Sequence, residues 1–406
     1  MKYLFKLAIA NIRRATRRTV LTFFILGFGI SLYIFLESFI SGWENSSFDN
    51  LINFQTGHIK VYNGQYDSEK PYILSNLIEN HGKVIGELYT KPYVTGAAAR
   101  VHFLGELDNM QDAVAVVVTG IDFINDPKVY TLTNYLIEGS FDPSGVIVGK
   151  TLADDLGLGI GDYCFISLRK EQGAYVSAEK QITGIVYTTD IAVNGSSVFL
   201  DIDEVLSLYG VNGVTEIGIK TADIEKSALH TAELIKEYPG LKIEHWKEAA
   251  KQTIQMMEME RKFDGIIILF IIVIALVGII NTMLMSVYEK QREIGTLKAM
   301  GMTDAEVMRL FVLEGALIGF LGGLCGIILG IMLNWYFAEI GIDFTKIWGS
   351  DMDFGSSVPA GVLKSSWMIA PYISGLLLGI ISSVAASYYP AKKTSRMQPM
   401  ECLRVK

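Results

Sequence analysis

Four runs without a charged residue limit what this 406-residue chain can become. Thr19–Leu36 holds 18 uncharged residues, Gly265–Val287 and Gly315–Phe337 hold 23 each, and Ser365–Ala391 holds 27. About 20 apolar residues in a helix cross a bilayer, because a rise of about 1.5 Å per residue must cover about 30 Å of hydrocarbon. Each run therefore reads as a membrane span, the first extending past Glu37 to Ile40. The first run is too long for a cleaved leader, and no A-x-A site follows it. The expected fold class is a membrane protein with four transmembrane α-helices and a large external α+β domain inserted between helices 1 and 2.

Lys and Arg concentrate on the cytoplasmic side of membrane spans, so their positions give the orientation. Lys2, Lys6, Arg13, Arg14, Arg17 and Arg18 precede the first span. Lys290, Arg292, Lys298 and Arg309 lie in or just after the second-to-third connection, and Lys392, Lys393, Arg396, Arg404 and Lys406 follow the fourth. The third-to-fourth connection has only Lys346 and Lys364 against Glu339, Asp343, Asp351 and Asp353. The expected order is a basic cytoplasmic N-terminus (1–18), helix 1 (19–40), an external domain (41–262) and helix 2 (263–287). A cytoplasmic connecting helix (288–306), helix 3 (307–338), an external loop (339–364), helix 4 (365–391) and a cytoplasmic tail (392–406) complete it.

Ser41–Lys262 carries 31 acidic and 18 basic residues, and the remainder 12 and 17. A net charge of −13 on the inserted domain excludes ordinary nucleic-acid binding and keeps an exported domain soluble. Cys164 is the only cysteine in it, so no internal disulfide can form, and more than 200 residues must stand on an apolar core. Gly57–Tyr62, Ala113–Thr119, Gly145–Val148 and Ser197–Asp201 read as strands. Ile73–Leu88, Lys150–Leu156, Ile202–Tyr209 and Ile224–Tyr238 read as helices. Turns are expected at Asp142-Pro143, Gly157–Gly161 and Asn194-Gly195. His245–Arg261 contains no Gly or Pro and reads as a stalk helix leading into the second span.

Chemistry-bearing motifs are sparse. Gly149-Lys150-Thr151 resembles the end of a phosphate-binding loop, but G-x-x-x-x-G-K-T requires glycine where Ser144 stands. His58, His81, His102, His230 and His245 show no i,i+4 pairing, so no metal site is expected. Small-xxx-small rows are prominent on the third span: Gly315, Gly319 and Gly323, overlapped by Gly322, Gly326 and Gly330, suit close helix packing within the chain or between subunits. Glu314, near the end of that span, reads either as an interfacial side chain reaching for water or as a contact to the connecting helix.

The connection between the second and third spans is short, charged and helix-like, with Gly301 as its stop. Arg292, Glu293, Ile294, Gly295, Lys298 and Gly301 follow an order that resembles the coupling element of FtsX/MacB-type ABC transporter permeases. Gln55–Tyr62, Gly120–Asp122, Gly139–Gly161 and the closing Tyr389–Leu403 are similar in order to the lipoprotein-releasing LolC/LolE permeases. The resemblance implies a periplasmic MacB-like domain with an inserted lobe at about 99–205, in the inner (plasma) membrane as a multi-pass protein. It implies a non-catalytic subunit, with no Walker motif and no cofactor of its own, whose partner is a cytoplasmic ABC ATPase that uses ATP. Further implied partners are a second permease copy or paralogue, a lipoprotein substrate and a periplasmic carrier, although the proline-bounded carrier hook of the LolC member has no clear equivalent. Phe24, Phe28, Ile274 and Val277 are then candidate acyl-chain contacts. Two other functions fit the same resemblance: MacB-like efflux of peptides or antibiotics, and FtsX-like control of a cell-wall hydrolase.

Overall fold

A computed structural model describes residues 2–14, 16–171, 173–289, 291–343, 362–398 and 400. Lys290, most of the third-to-fourth connection (Lys346, Asp351 and Asp353 included), Cys402, Arg404 and Lys406 lie outside the described residues. The chain divides into two compact units, one of residues 1–43, 258–342 and 364–406, the other of 44–257 and 343–363.

In chain order the helices are α1 Lys2–Arg14, α2 Thr16–Asn50, α3 His81–Leu88, α4 Asp126–Val129, α5 Lys150–Asp155, α6 Ile191–Ser196 and α7 Ile202–Tyr209. There follow α8 Ser227–Glu237, α9 Trp246–Ala249, α10 Lys251–Glu289, α11 Gln291–Ala299, α12 Asp304–Glu339 and α13 Ala370–Ser395. Among the described residues three helices are long and apolar enough to cross a membrane, lying in α2, α12 and α13. The fourth expected run falls within α10, some of whose side chains lie outside the described set.

The 44–257 unit is an α+β domain. Its strands are β1 Ile59–Asn63, β2 Val94–Asp108, β3 Ala113–Ile121, β4 Leu136–Gly139, β5 Val146–Gly149, β6 Tyr163–Arg169, β7 Tyr175–Val186, β8 Ser197–Asp201, β9 Glu216–Thr221 and β10 Leu241–His245. They form one sheet in the order β10-β1-β9-β2-β3-β8-β5-β7-β4, and β6 pairs with both β2 and β7. That second pairing closes β2, β3, β8, β5, β7 and β6 into a six-stranded ring, which removes the exposed edges of those strands. Alternation places Phe103, Leu107, Val116, Val118, Ile166, Leu168 and Val198 in one buried cluster.

β2 joins the ring to β9, β1 and β10, pairing with β9 over Val94–Arg100 and with β3 over Arg100–Asp108. Arg100 sits where the partner changes. Its Nε donates to Asp126 Oδ1 at 2.7 Å, its Nη2 to Asp126 Oδ2 at 2.9 Å and its Nη1 to the Phe54 carbonyl at 2.7 Å. The guanidinium also lies 3.3 Å from the centre of the Tyr130 ring. A buried bidentate pair of this kind fixes geometry, and removing one partner strands a charge. Beside it, Lys60 Nζ donates to Glu216 Oε2 at 2.5 Å, and His102 Nε2 lies 3.4 Å from Glu216 Oε1. Burial pushes the Glu216 carboxyl up, but the Lys60 ammonium and His102 outweigh it and hold it at about 2.

Several sequence expectations change here. Ile73–Leu88 is not one helix: a 3-10 turn at Leu74–Asn76 and a bridge from Ile78 to Val214 precede α3. Asn194-Gly195 lies inside α6, because the Asp190 carboxylate caps that helix by accepting from the Ala192 and Val193 amides. The stalk is not continuous from His245, which ends β10; the long helix begins at Lys251. The basic N-terminus is a helix, with Ala8 of α1 packed against Leu310 of α12.

The Glu216 cluster makes a pH-dependent prediction. A carboxyl held at about 2 contributes stability above its ordinary value near 4.5, and the contribution is lost as pH falls from there towards 2. Glu216→Gln should lower the unfolding free energy at pH 7 by roughly 3 kcal/mol. The gap from wild type should narrow steadily below about pH 4.5. Denaturant titration of the solubilised chain, followed by tryptophan fluorescence, measures both; a gap that stays constant down to acid pH would refute the assignment.

Candidate functional site

α11 is a nine-residue helix that buries one side and exposes the other. Gln291, Ile294 and Gly295 are buried, and Ile294 joins Val307 and Phe311 of α12 and Ala391 of α13 in an apolar cluster. Arg292, Glu293, Thr296, Ala299 and Met300 are exposed. The spacing explains the split, since residues three and four apart share a helical face.

The end of α11 and the start of α12 are both capped. Gly301 adopts φ +103°, which a side chain resists. This lets the Met302 amide donate to the Leu297 carbonyl at 3.1 Å and the Gly301 amide to that of Lys298 at 3.0 Å. That pair of bonds is a Schellman stop. Thr303 and Glu306 then form a reciprocal capping box that starts α12. The turn between α11 and α12 is thus fixed by its own hydrogen bonds.

The six expected coupling residues therefore have different environments. Arg292 and Glu293 face solvent, Ile294 and Gly295 face the chain, and Gly301 shapes the stop. Lys298 is turned inward: its Nζ donates to the carbonyls of Ser395 and Met397 at 2.8 and 2.6 Å and faces Asp304 Oδ1 at 2.8 Å. Thr296 and Met300 share the exposed face and were missed, because neither carries a charge or completes a motif. Only their i+4 and i+8 spacing from Arg292 marks them.

The six glycines of α12 serve two neighbours. A Cβ at Gly319 would lie 2.7 Å from the Gly379 carbonyl of α13, and one at Gly323 2.7 Å from Leu376; Gly315 faces Ser383 and Ser387 of the same helix. A Cβ at Gly322 would lie 2.6 Å from Leu26 of α2, one at Gly326 2.7 Å from Ile30, and one at Gly330 3.1 Å from Ile34. Ser383 Oγ donates to the Gly315 carbonyl at 2.7 Å, a hydrogen bond across helices that such close approach permits. Glu314 is 3% exposed, so it is not an interfacial side chain reaching for water.

Phe24 and Phe28 on α2 and Ile274 and Val277 on α10 are all exposed, Ile274 by 71%. The cleft that Leu26, Tyr33, Ile272 and Leu378 line has a volume of about 30 Å³, too little for an acyl chain. Phe24, Phe28, Ile274 and Val277 are not among the residues that line that cleft. In the 44–257 unit, His58 Nδ1 lies 2.9 Å from Thr221 Oγ1 and His102 Nδ1 3.0 Å from Thr119 Oγ1. Among the described residues no group of three His, Cys, Asp or Glu could hold a metal ion.

Residues 265–399 match the FtsX-like permease C-terminal family, a stretch that holds α11, α12, α13 and the glycine rows. That stretch is similar to the FtsX-like permease C-terminal domain. The resemblance read from Arg292–Gly301 and Tyr389–Leu403 is borne out by that match. The lipoprotein-releasing system transmembrane protein LolC of Neisseria meningitidis serogroup B is 27% identical over 401 residues, covering 93% of this chain and 92% of that protein. LolE of Haemophilus influenzae is 23% identical over 332 residues, covering 78% and 79%. The macrolide export ATP-binding/permease protein MacB 2 of Aeromonas hydrophila is 24% identical over 408 residues, covering 95% of this chain and 58% of that protein.

Substitutions on α12 should separate its two contacts. Gly319→Val places atoms against the α13 backbone, and Gly326→Val places them against α2, where the Gly27 carbonyl is 2.8 Å from the ideal Cβ. Overpacking of this kind costs about 1–3 kcal/mol. Each variant should lower the thermal midpoint of the detergent-solubilised chain, whereas Ile328→Val, at an exposed position of the same helix, should leave it unchanged. Equal midpoints for all three would show that the glycine rows do not carry the packing.

Proposed function

We propose that this permease is the non-catalytic subunit of an ABC transporter that releases lipoproteins from the inner membrane towards the outer membrane. The observation that carries the reading is similarity over 93% of the chain to a lipoprotein-releasing LolC. On this reading a separate cytoplasmic ATPase seats the exposed Arg292–Met300 face of α11, and nucleotide-driven closure pushes that helix. The protein crosses the membrane four times with both ends inside, and the 44–257 unit is periplasmic. The basic residues flanking the spans support that orientation. The rigidity of α11 supports force transfer: a helix closed by a Schellman stop and followed by a capping box moves as a body rather than unwinding.

The cargo's acyl chains would meet Phe24, Phe28, Ile274 and Val277 on the outer surface, where a second permease copy or paralogue could close a shared chamber. Spans with few buried charges suit hydrocarbon better than a polar solute. The second reading is MacB-like efflux, favoured by the similarity to a macrolide exporter over 95% of the chain. The chain spans 58% of that ATP-binding/permease protein's length.

Three measurements test this reading. Cysteine labelling should protect position 295 from a membrane-impermeant reagent added outside and leave Gln111 accessible; the reverse pattern sinks the topology. Glu293→Lys, an exposed change expected to cost no more than about 0.5 kcal/mol, should leave the permease folded. In the reconstituted complex it should lower lipoprotein release per ATP by about tenfold. Normal coupling in that variant would remove α11 from the mechanism. Depletion should strand outer-membrane lipoproteins in the inner membrane, whereas unchanged sorting with new sensitivity to macrolides or peptides would put efflux in its place.

A further inference from the structure

Lys298 stands apart from the exposed residues of α11. Its ammonium carries three N–H donors, and three acceptors surround it. The Ser395 carbonyl lies at 2.8 Å, the Met397 carbonyl at 2.6 Å and Asp304 Oδ1 at 2.8 Å. Ser395 is the last residue of α13, and a helix C-terminus leaves its final carbonyls without intrahelical partners and carries partial negative charge. Asp304 is the first residue of α12. One cation on the last turn of α11 therefore meets the end of one long helix and the start of another. At the other end of α11, Gln291 Nε2 lies 3.7 Å from Met397 Sδ.

The Lys298 side chain is 9% exposed, so water competes little for its donors. A partner approaching the exposed face would meet Arg292, Glu293 and Thr296 instead. α11 is already joined to α12 through the chain at Gly301–Thr303. Its link to α13 includes the apolar contact of Ile294 with Ala391 and the hydrogen bonds of Lys298. Apolar contact is non-directional and tolerates sliding, whereas hydrogen bonds set a position.

We infer that Lys298 is a positioning residue that pins α11 to the end of α13 and the start of α12, so that a push on α11 displaces both long helices together. The inference rests on the coupling role proposed for α11 and adds what lies behind that face. Its consequence is that ATP hydrolysis and cargo release can be separated by a residue that touches neither the ATPase nor the cargo.

The test uses the full chain in lipid nanodiscs: spin labels at the exposed positions Thr296 and Lys392 are read without the ATPase, and ATPase binding and release are measured on unlabelled chains with the ATPase. The otherwise wild-type labelled chain should give a narrow distance distribution. Lys298→Met, which keeps the stem and removes the donors, should broaden that distribution and leave ATPase binding unchanged. Lipoprotein released per ATP should fall by about fivefold or more. Lys298→Arg should restore both the narrow distribution and the release. A distribution as narrow as wild type in Lys298→Met would overturn the pin, whatever happens to transport. Loss of ATPase binding with a narrow distribution would overturn it too, by making Lys298 a partner contact. If Lys298→Met does not accumulate, Asp304→Ala at its exposed site removes one of the three contacts. It should broaden the distribution to a lesser degree, and an unchanged width there counts equally against the pin. A wild-type chain that binds no ATPase through α11 would sink the coupling role instead, and the label distances would still decide the pin.

Discussion

Backbone approach along α12 is the constraint on which the membrane-spanning unit depends. In hydrocarbon, apolar side chains gain nothing by leaving lipid for protein, so helices associate through close packing and hydrogen bonds between them. α12 meets that requirement twice. One row of glycines admits α13 and the other admits α2, so a single helix forms the centre of the group. The rows interleave along α12, and the two contacts therefore run beside one another. Little space remains for side-chain rearrangement on either side, which favours displacement of these helices as bodies over repacking between them.

α11 adds a polar counterpart to that packing. Its buried side continues the contact between α12 and α13 beyond the glycine rows, through Ile294, Val307, Phe311 and Ala391. Its other side leaves a cation, an anion, a hydroxyl and a thioether in solvent. A short helix of this kind has too little length to be stable alone. Its conformation is supplied by the Gly301 stop, the Thr303–Glu306 box and the contacts of Lys298. Such a helix holds its shape without relying on a bound partner.

The sequence was most informative where one physical rule acts alone. Absence of charge over 18 or more residues marked four runs, three of which fall in helices long and apolar enough to cross a membrane among the described residues, and the position of Gly301 marked the end of α11, because a left-handed residue there almost demands glycine. Ser197–Asp201 and Ile202–Tyr209 were read to the residue, since a short apolar run ends at Asp201 and helical spacing follows directly. β2 was missed although it is the longest strand, because its Ala97–Ala98–Ala99 run and Gly96 lack the branched side chains that signal a strand. Asn194-Gly195 misled because an upstream carboxylate, Asp190, supplies a helix cap that outweighs local turn preference. Motif order grouped Lys298 with Arg292 and Glu293. Its inward direction depends on Ser395 and Met397, which are remote in sequence and offer only backbone carbonyls, so no residue type announced them.

The pairing of β1 has a consequence for how this chain is made. Both neighbours of β1, which are β9 and β10, come from the far end of the 44–257 unit. Until those late segments are synthesised, β1 has no edge to join, and β2 lacks its β9 partner as far as Arg100. Pairings of such long separation form slowly, because loop closure must precede any gain. A six-residue π-helical segment, Leu51–Thr56, separates α2 from β1, so β1 is made early and waits while its partners are translated. Completion of the sheet therefore waits for β10, which ends immediately before the segment leading into α10.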